Sequence, residues 1–440
     1  MRKLVLLGLS GVVSLAALAS ACSASKDGEG GFDPDGSAGG STSSAGEGGN
    51  GSLGANTGGG INPSGTGGSG AGSGNCDAND PTVDADMDGF FPPEDCNDCD
   101  PNSNPGAVEV VVTEPDENGE LPPPADEDCD GMPDNPLPEC DDGLALTDSD
   151  PNNGARAIDL CKEATGNTWG VMSSAYVRAN GDPSAAGPGV GIFDGFGPNV
   201  AVQKGARMLG ISSGHARRPG DPDACFAQSC SNNGVGIPPA GYPQDVPNCI
   251  ISDLINDDVA LQVQLRAPTN ATGYKFRFKF YSFEYAEFVC TFFNDQFVAL
   301  VDPPPMGANN GNISFDSANN PVSVNIAFFD VCDPLATDFA LYCDPAQSVC
   351  PLPPNPFCPS GTAELEGNGF LDAFGSFEDG GGTSWLETTA PIAGGDEFSI
   401  RFAIWDVQDS AWDSTTLIDS FEWIASGGVD VGTGEVPDPK

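Results

Sequence analysis

Between Lys26 and Arg156 the chain carries no Lys, Arg or His, yet acids recur through that span and crowd into Asp84–Gly131. Such a stretch cannot close up on its own charge. Each like-charge contact costs energy, and burying a carboxylate costs more. Either it stays expanded and solvated or cations supply the missing charge. The spacing points to cations. Asp84, Asp86 and Asp88 alternate and Gly89 follows, and Asp126, Asp128, Asp130 and Gly131 repeat the arrangement. A hard cation such as calcium takes about six to eight oxygens. Asp-x-Asp-x-Asp-Gly wraps a loop around one, the Gly supplying the sharp turn.

In a loop of about twelve residues counted from Asp84, the backbone carbonyl of Phe90 falls at the seventh place and Asp95 at the last. A bidentate Glu normally stands there, so Asp95 predicts a weak site, about 10⁻⁴–10⁻³ M. The second loop has Leu137 at that place and cannot close in the EF-hand manner. Asp98 and Asp100 are candidates to share ligands with either loop. No amphipathic helix flanks the loops, and Pro92-Pro93 would interrupt one. The expected calcium ligands are therefore Asp84, Asp86, Asp88, Phe90, Asp95, Asp98, Asp100, Asp126, Asp128 and Asp130. The rival readings are a solvated acidic loop without a site, and a zinc or redox pair at Cys96-x-x-Cys99.

The rest of the chain gives these loops a setting. Sixteen basic against 64 acidic residues, a net charge of −48, excludes nucleic acid as a partner. A single His argues against His-based catalysis and zinc chemistry. Residues 1–22 read as an export signal: Arg2 and Lys3, an apolar run from Leu4 to Leu18, then Ala19-Ser20-Ala21 before Cys22. This resembles a bacterial lipoprotein signal with the lipid on Cys22, although Ala19 replaces the usual Leu. The residue after it, Ser23, lacks the Asp of inner-membrane retention, which points to the outer membrane and the cell surface. Residues 23–75 are a Gly/Ser-rich disordered linker, about 50 residues with a span of roughly 40 Å. Residues 76–153 are the acidic module, in which Val108–Val112 is the one candidate strand. Cys22 aside, an even set of 14 of the 15 Cys remains, which in an exported chain reads as disulfides.

Residues 154–426 form the globular part. A helix is expected within Ala157–Ala175. Alternation dominates afterwards, in Val259–Leu265, Tyr274–Phe280, Phe398–Trp405 and Leu417–Ile424. Strands with one buried and one wet face make antiparallel sheets, so the fold class is mainly β, an antiparallel, jelly-roll-like β-sandwich. Residues 427–440 read as a flexible tail. Close Cys pairs suggest Cys225–Cys230, Cys332–Cys343 and Cys350–Cys358, with Cys161, Cys249 and Cys290 free to make longer links.

Two resemblances sharpen this reading. Asp84–Gly89, Asp95–Pro101, Asn104–Glu109 and Asp126–Gly131 closely resemble a metal-binding motif family of myxobacterial and related surface proteins, and are similar to thrombospondin type 3 calcium repeats. That resemblance implies a Cys96–Cys129 disulfide fastening the two loops. It also shows Met87 where Gly is more usual. Gly210–Gly214, Phe280–Phe297 and Ala403–Ser414 look like the choice-of-anchor L family of bacterial surface domains. This implies an extracellular β domain, held here by the lipid on Cys22. Glu284, Glu287, Asn294, Asp295, Asp406, Asp409 and Asp413 lie at strand ends or turns and are candidates for a second metal site, with solvated turn acids as the rival reading. The expected function is non-enzymatic: a lipid-anchored, calcium-binding cell-surface protein that contacts a glycan, matrix or surface protein. The alternative is an extracellular carbohydrate-active hydrolase using acids such as Glu284 and Asp409.

Overall fold

A computed structural model of the chain describes residues 80–436 except 114, 116–118, 186, 226–227, 245, 247–248, 250, 287, 326–327, 334–357 and 372–379. The export signal with Cys22, the linker, Cys76, Glu287, Cys343 and Cys350 lie outside the described residues. One helix, α1 (Pro151–Arg156), precedes β1 (Gly170–Val177), β2 (Val190–Phe193), β3 (Met208–Ser212), β4 (Ile255–Arg266), β5 (Gly273–Ser282), β6 (Gln296–Asp302) and β7 (Val322–Ser323). Then come β8 (Phe329–Val331), β9 (Gly381–Thr383), β10 (Leu386–Pro391), β11 (Glu397–Val407), β12 (Ser414–Ile424) and β13 (Gly432–Glu435).

The strands form two antiparallel sheets. One runs β1-β4-β11-β6-β7; the other runs β13-β10-β5-β12-β3-β2, with β9 beside β5 and β8 beside β9. Tyr274, Phe276, Phe278 and Phe280 leave β5 on one face, as the pleat requires, and enter the core between the sheets. There Tyr274 stacks on Phe398 at 5.0 Å, and Phe276 meets Phe402 edge-on at 4.9 Å. These pairs join β5 of one sheet to β11 of the other.

The expected wet faces are largely covered. A second apolar cluster, including Phe196, Leu365, Phe370 and Trp385, lies against Tyr281 and Leu417 on the outer side of β5 and β12. A third gathers Tyr242, Ala260, Val298 and Trp405 outside β4, β6 and β11. Lys279, which the alternation puts on a wet face, is buried and paired with Glu364. Trp385 and Trp405 are buried in these outer clusters as well. Strict alternation also breaks in β12. A register shift between Asp419 and Glu422, with Ser420 at φ 53°, turns Phe421 to the inner core that Ile418 already faces, whereas Leu417 faces outward.

Other expectations need correction. The helix ends at Arg156, before the stretch assigned to it. Asp150 caps it by accepting from the Asn152 N–H, Pro151 opens it, and Asp159 at φ 69° turns the chain away. Val108–Val112 is not a strand: Val108 bonds through its N–H and carbonyl to the Asn270 amide, and the Val110 N–H donates to Glu127. The tail is not loose throughout: β13 pairs with β10, Glu435 opposite Leu386. Cys332 pairs with Cys358, not with Cys343, so Cys350–Cys358 is excluded too. Cys225–Cys230 is as expected, and Cys249–Cys290 and Cys140–Cys161 are the longer links.

Candidate metal centres

The acidic segment is docked on the sandwich. Val108 donates its N–H to Asn270 Oδ1 at 3.0 Å and accepts from Asn270 Nδ2 at 2.8 Å. The Trp169 indole donates to the Ala107 carbonyl at 2.9 Å, and the Thr269 N–H donates to the Gly106 carbonyl at 2.9 Å. Gly106 permits this approach, since a Cβ there would stand 2.9 Å from Thr269 and 3.0 Å from the Phe90 ring. Downstream, Asp141 accepts from the N–H groups of Ala206 and Arg207, beside the Cys140–Cys161 disulfide. Residues 104–141 are thus fixed to the sandwich at both ends.

The two Asp-rich loops have the same backbone. Asp84 accepts from the N–H groups of Met87 and Gly89, and Asp126 accepts from those of Asp130 and Gly131. Met87 and Cys129, each three residues after the first Asp, have φ 71° and 57°; Gly89 and Gly131 have φ 95° and 91°. Glycine is favoured at the Met87 place for its left-handed backbone, not for its lack of a side chain to ligate. Cys96 and Cys129 are bonded to each other, with Cα atoms 5.5 Å apart, and Cys99 is disulfide-bonded as well, which removes the zinc and thiol-redox readings.

In the first loop, one oxygen from each of Asp86, Asp88 and Asp95 lies within 4.8 Å of the others, and Asp84, Asp86 and Asp98 form an overlapping triplet. Asp95 and Asp98 are buried. The Oδ1 atoms of Asp86, Asp88 and Asp95 accept from backbone N–H groups two residues on, but their Oδ2 atoms are buried and receive no donor. Burial, and then the neighbouring acids, pushes Asp86 and Asp88 up and raises Asp95 to about 6. Convergent bare carboxylate oxygens with nothing to neutralise them fit a calcium ion. Phe90 stands in the loop, its N–H donating to Asp88. Asp100 stands apart and caps a turn at Asn102.

The second loop gathers Glu109, Asp126 and Asp128, with Glu109, Glu127 and Asp134 alongside. Glu109 takes the part that Leu137 cannot play, reaching in from outside the loop. Its two oxygens already accept from the N–H groups of Asp128 and Asp134, so this centre is less open than the first. Burial raises Glu109 to about 7. Asp130 belongs to neither triplet; it accepts from Met132 N–H and Asn135 Nδ2. The signal for Glu109 was its place as the one acid inside Val108–Val112.

On the sandwich, the ends of β3, β5, β11 and β12 bring Ser213, Glu284, Asn294, Asp295, Asp406 and Asp413 into one buried region. Asp295 accepts from the Val407 N–H at 2.9 Å and from the Ser414 hydroxyl at 2.6 Å. It also lies next to Glu284, which accepts from its N–H. Asn294 accepts from the Asn325 N–H. Burial, and then neighbouring acids, drives Glu284 and Asp406 far above the carboxylate range; burial also raises Asp413 strongly and lifts Asp295 to about 7. Asp409 is not part of this group: it is exposed and accepts from Ala411. Glu284 and Asp409 therefore do not face one open cleft, which the hydrolase reading needs.

A cleft of about 440 Å³ does open where the acidic segment meets the sandwich, among Glu109, Asp128, Lys162, Trp169 and Trp423. Lys162 lies 4.3 Å from the Trp169 ring centre. Among the described residues no helix is long and apolar enough to cross a membrane. The family model for the choice-of-anchor L domain matches residues 157–422, more than half of the chain. No curated protein and no solved structure matches.

Proposed function

Because the chain belongs to the choice-of-anchor L domain family, a family of non-catalytic surface domains, we propose that it is a calcium-stabilised, lipid-anchored contact module of the cell surface. The observation that carries this reading is the set of buried, donor-free Oδ2 atoms of Asp86, Asp88 and Asp95. A calcium ion there would cancel the charge of the first loop, with Asp84 and Asp98 completing the oxygen set. Glu109, Asp126 and Asp128 would hold a second, weaker ion. Both ions would stiffen the segment that closes one wall of the 440 Å³ cleft.

That cleft supplies the contact surface. The half-buried Trp423 offers apolar ring surface, the buried Trp169 supports it edge-on, and Lys162, Glu109 and Asp128 offer charged hydrogen-bonding partners, a combination suited to a surface glycan. The lipid on Cys22 would keep the domain at the outer membrane. Calorimetric titration of the whole chain tests the metal reading: loss of the tighter calcium in Asp86→Asn, with the weaker one kept, supports it, and no uptake by the wild type sinks it. A glycan array read with Trp423→Ala tests the cleft, and Cys22→Ser tests the anchor by loss of lipid labelling.

A further inference from the structure

We propose that Glu284, Asp295, Asp406 and Asp413 form a proton latch: carboxyl groups sharing protons hold the loops of residues 283–295 and 408–413 closed over one end of the sandwich, and rising pH opens them. Strand register brings the four together from distant parts of the chain. Ser414 is paired with Ser282 across β12 and β5, and Trp405 with Gln296 across β11 and β6. This sets Glu284 after β5, Asp295 before β6, Asp406 in β11 and Asp413 before β12, all of them buried.

Their contacts require protons. Glu284 bonds through its side chain to Asp295, Asp295 to Asp406 and to the Ser414 hydroxyl, and Asp406 to Ser213. An ionised carboxylate only accepts, so two carboxyl groups can bond to each other only if one is protonated. A metal does not fit. Among the described residues no three of these acids bring ligand atoms within 4.8 Å of one another, as the acidic loops do. Nor does a basic side chain take the charge: no ion pair among the described residues reaches any of the four. The charged groups that act most on them are acids, namely one another, Asp409 on the loop after β11 and Asp257 on β4. Next to Asp257, Asp258 is paired with Arg178. The end of β3 contributes the Ser213 hydroxyl.

The two loops are tied to this cluster and to each other. The Phe283 N–H donates to the Asp413 carbonyl, the Phe288 N–H to the Glu284 carbonyl and the Cys230 N–H to the Asp413 carboxylate. Phe288 meets Trp412 edge-on at 4.7 Å and Phe293 at 5.3 Å, and Phe292 is exposed. Gln408 and Trp412 stand at φ 79° and 68°, a left-handed backbone that a residue with a side chain keeps only when its surroundings enforce it. Loss of the protons leaves carboxylates that repel one another with no cation between them, and the strained loop is released. Opening uncovers Phe288, Phe293 and Trp412, so pH gates an aromatic surface. Burial, and then neighbouring acids, holds these groups above the ordinary carboxylate range, with Asp295 at about 7. The closed state therefore keeps protons that the open state gives up. Opening becomes easier as pH rises, about tenfold per pH unit for each proton released.

The test is backbone deuterium uptake by the whole chain from about pH 6 to about pH 9, each rate divided by the intrinsic rate at that pH, with and without a chelator. The expected result is protection across residues 284–295 and 404–414 that falls by at least about tenfold per pH unit, while residues 259–265 of β4 stay protected. In Asp406→Asn the fall should be shallower by about tenfold per pH unit, one proton having been removed. Infrared difference spectra are the second readout: the C=O stretch of a protonated carboxyl is present at neutral pH in the wild type and weaker in Asp406→Asn. If Asp406→Asn does not fold, Glu284→Gln takes its place in both measurements. Loop protection that is flat with pH, or that falls in step with residues 259–265, overturns the proposal. So does a variant whose carboxyl signal equals that of the wild type. A pH response seen only with the chelator assigns the cluster to a metal and overturns the proposal as well.

Discussion

Asn270→Ala probes the joint between the acidic segment and the sandwich. The Asn270 amide satisfies both backbone groups of Val108, which is only 8% exposed. Truncation strands a buried donor and a buried acceptor. A hydrogen bond contributes about 1 kcal/mol net, and a buried group left without a partner costs about 1–3 kcal/mol. The pair puts the cost of the substitution at roughly 2–4 kcal/mol. With about 2.1 cal/mol/K of unfolding entropy per residue over the ordered chain, the melting temperature falls by roughly 3–5 °C. Glu109 follows Val108 directly, so weaker calcium uptake at the second loop should accompany the loss. Asn270→Asp keeps an acceptor for the Val108 N–H but sets a carboxylate oxygen against the Val108 carbonyl, and should do no better. Scanning calorimetry with and without calcium, together with proteolysis of residues 109–125, reads both effects. A change within about 0.5 kcal/mol, the range of an ordinary surface substitution, with unaltered cleavage would refute the claim that these two bonds hold the segment.

Replacing Cys96 and Cys129 together by Ser opens a closure spanning 33 residues, which chain entropy values at about 3–4 kcal/mol. Calcium affinity measured by titration should fall accordingly, and equal affinity would show that the loops hold themselves together. Burial raises Asp419 from 3.8 to about 8. Between those values the folded state keeps a proton that the unfolded state has lost, so its share of stability is present at low pH and declines as pH rises toward 8. Melting curves across that window should show a shallower decline in Asp419→Asn than in the wild type, the rest coming from the other raised acids such as Asp95 and Glu109. Gly214→Ala drives a methyl group into the Asp413 carboxylate and should cost roughly 2–3 kcal/mol, read by denaturant unfolding.

The alternation in β4, β5 and β11 was legible because a strand's period is short and local, and Phe276, Phe278 and Phe280 lie where it put them. Their outer faces were not legible. What covers Tyr281 and Leu417 comes from Phe196, Leu365 and Phe370, far away along the chain, and no local pattern announces that contact. The shift at Asp419–Glu422 was hidden for a related reason: one extra residue reverses every later side chain, and only the partner strand reveals it. In the acidic loops the regular spacing singled out Asp84, Asp86 and Asp88, but each triplet is completed by a later acid, Asp98 or Asp95. Glu109 approaches from outside that spacing, held by the backbone N–H groups of Asp128 and Asp134, which no counting rule includes. On the sandwich, Asp406, Asp413 and Glu284 were visible as separate acids at strand ends. That they share one buried place depends on strand order, which the sequence does not spell out.

The position of the Asn270 clamp has a mechanical consequence. The segment 267–272 on which residues 104–108 sit is the turn between β4 and β5, and those strands belong to opposite sheets. A pull on the chain from the side of residue 84 therefore arrives at the corner of the sandwich, not at the rim of one sheet. From there it divides between β4, flanked by β1 and β11, and β5, flanked by β10 and β12. Load shared in this way shears two central strands against neighbours on both sides at once, instead of peeling a single edge strand, one pair of hydrogen bonds at a time.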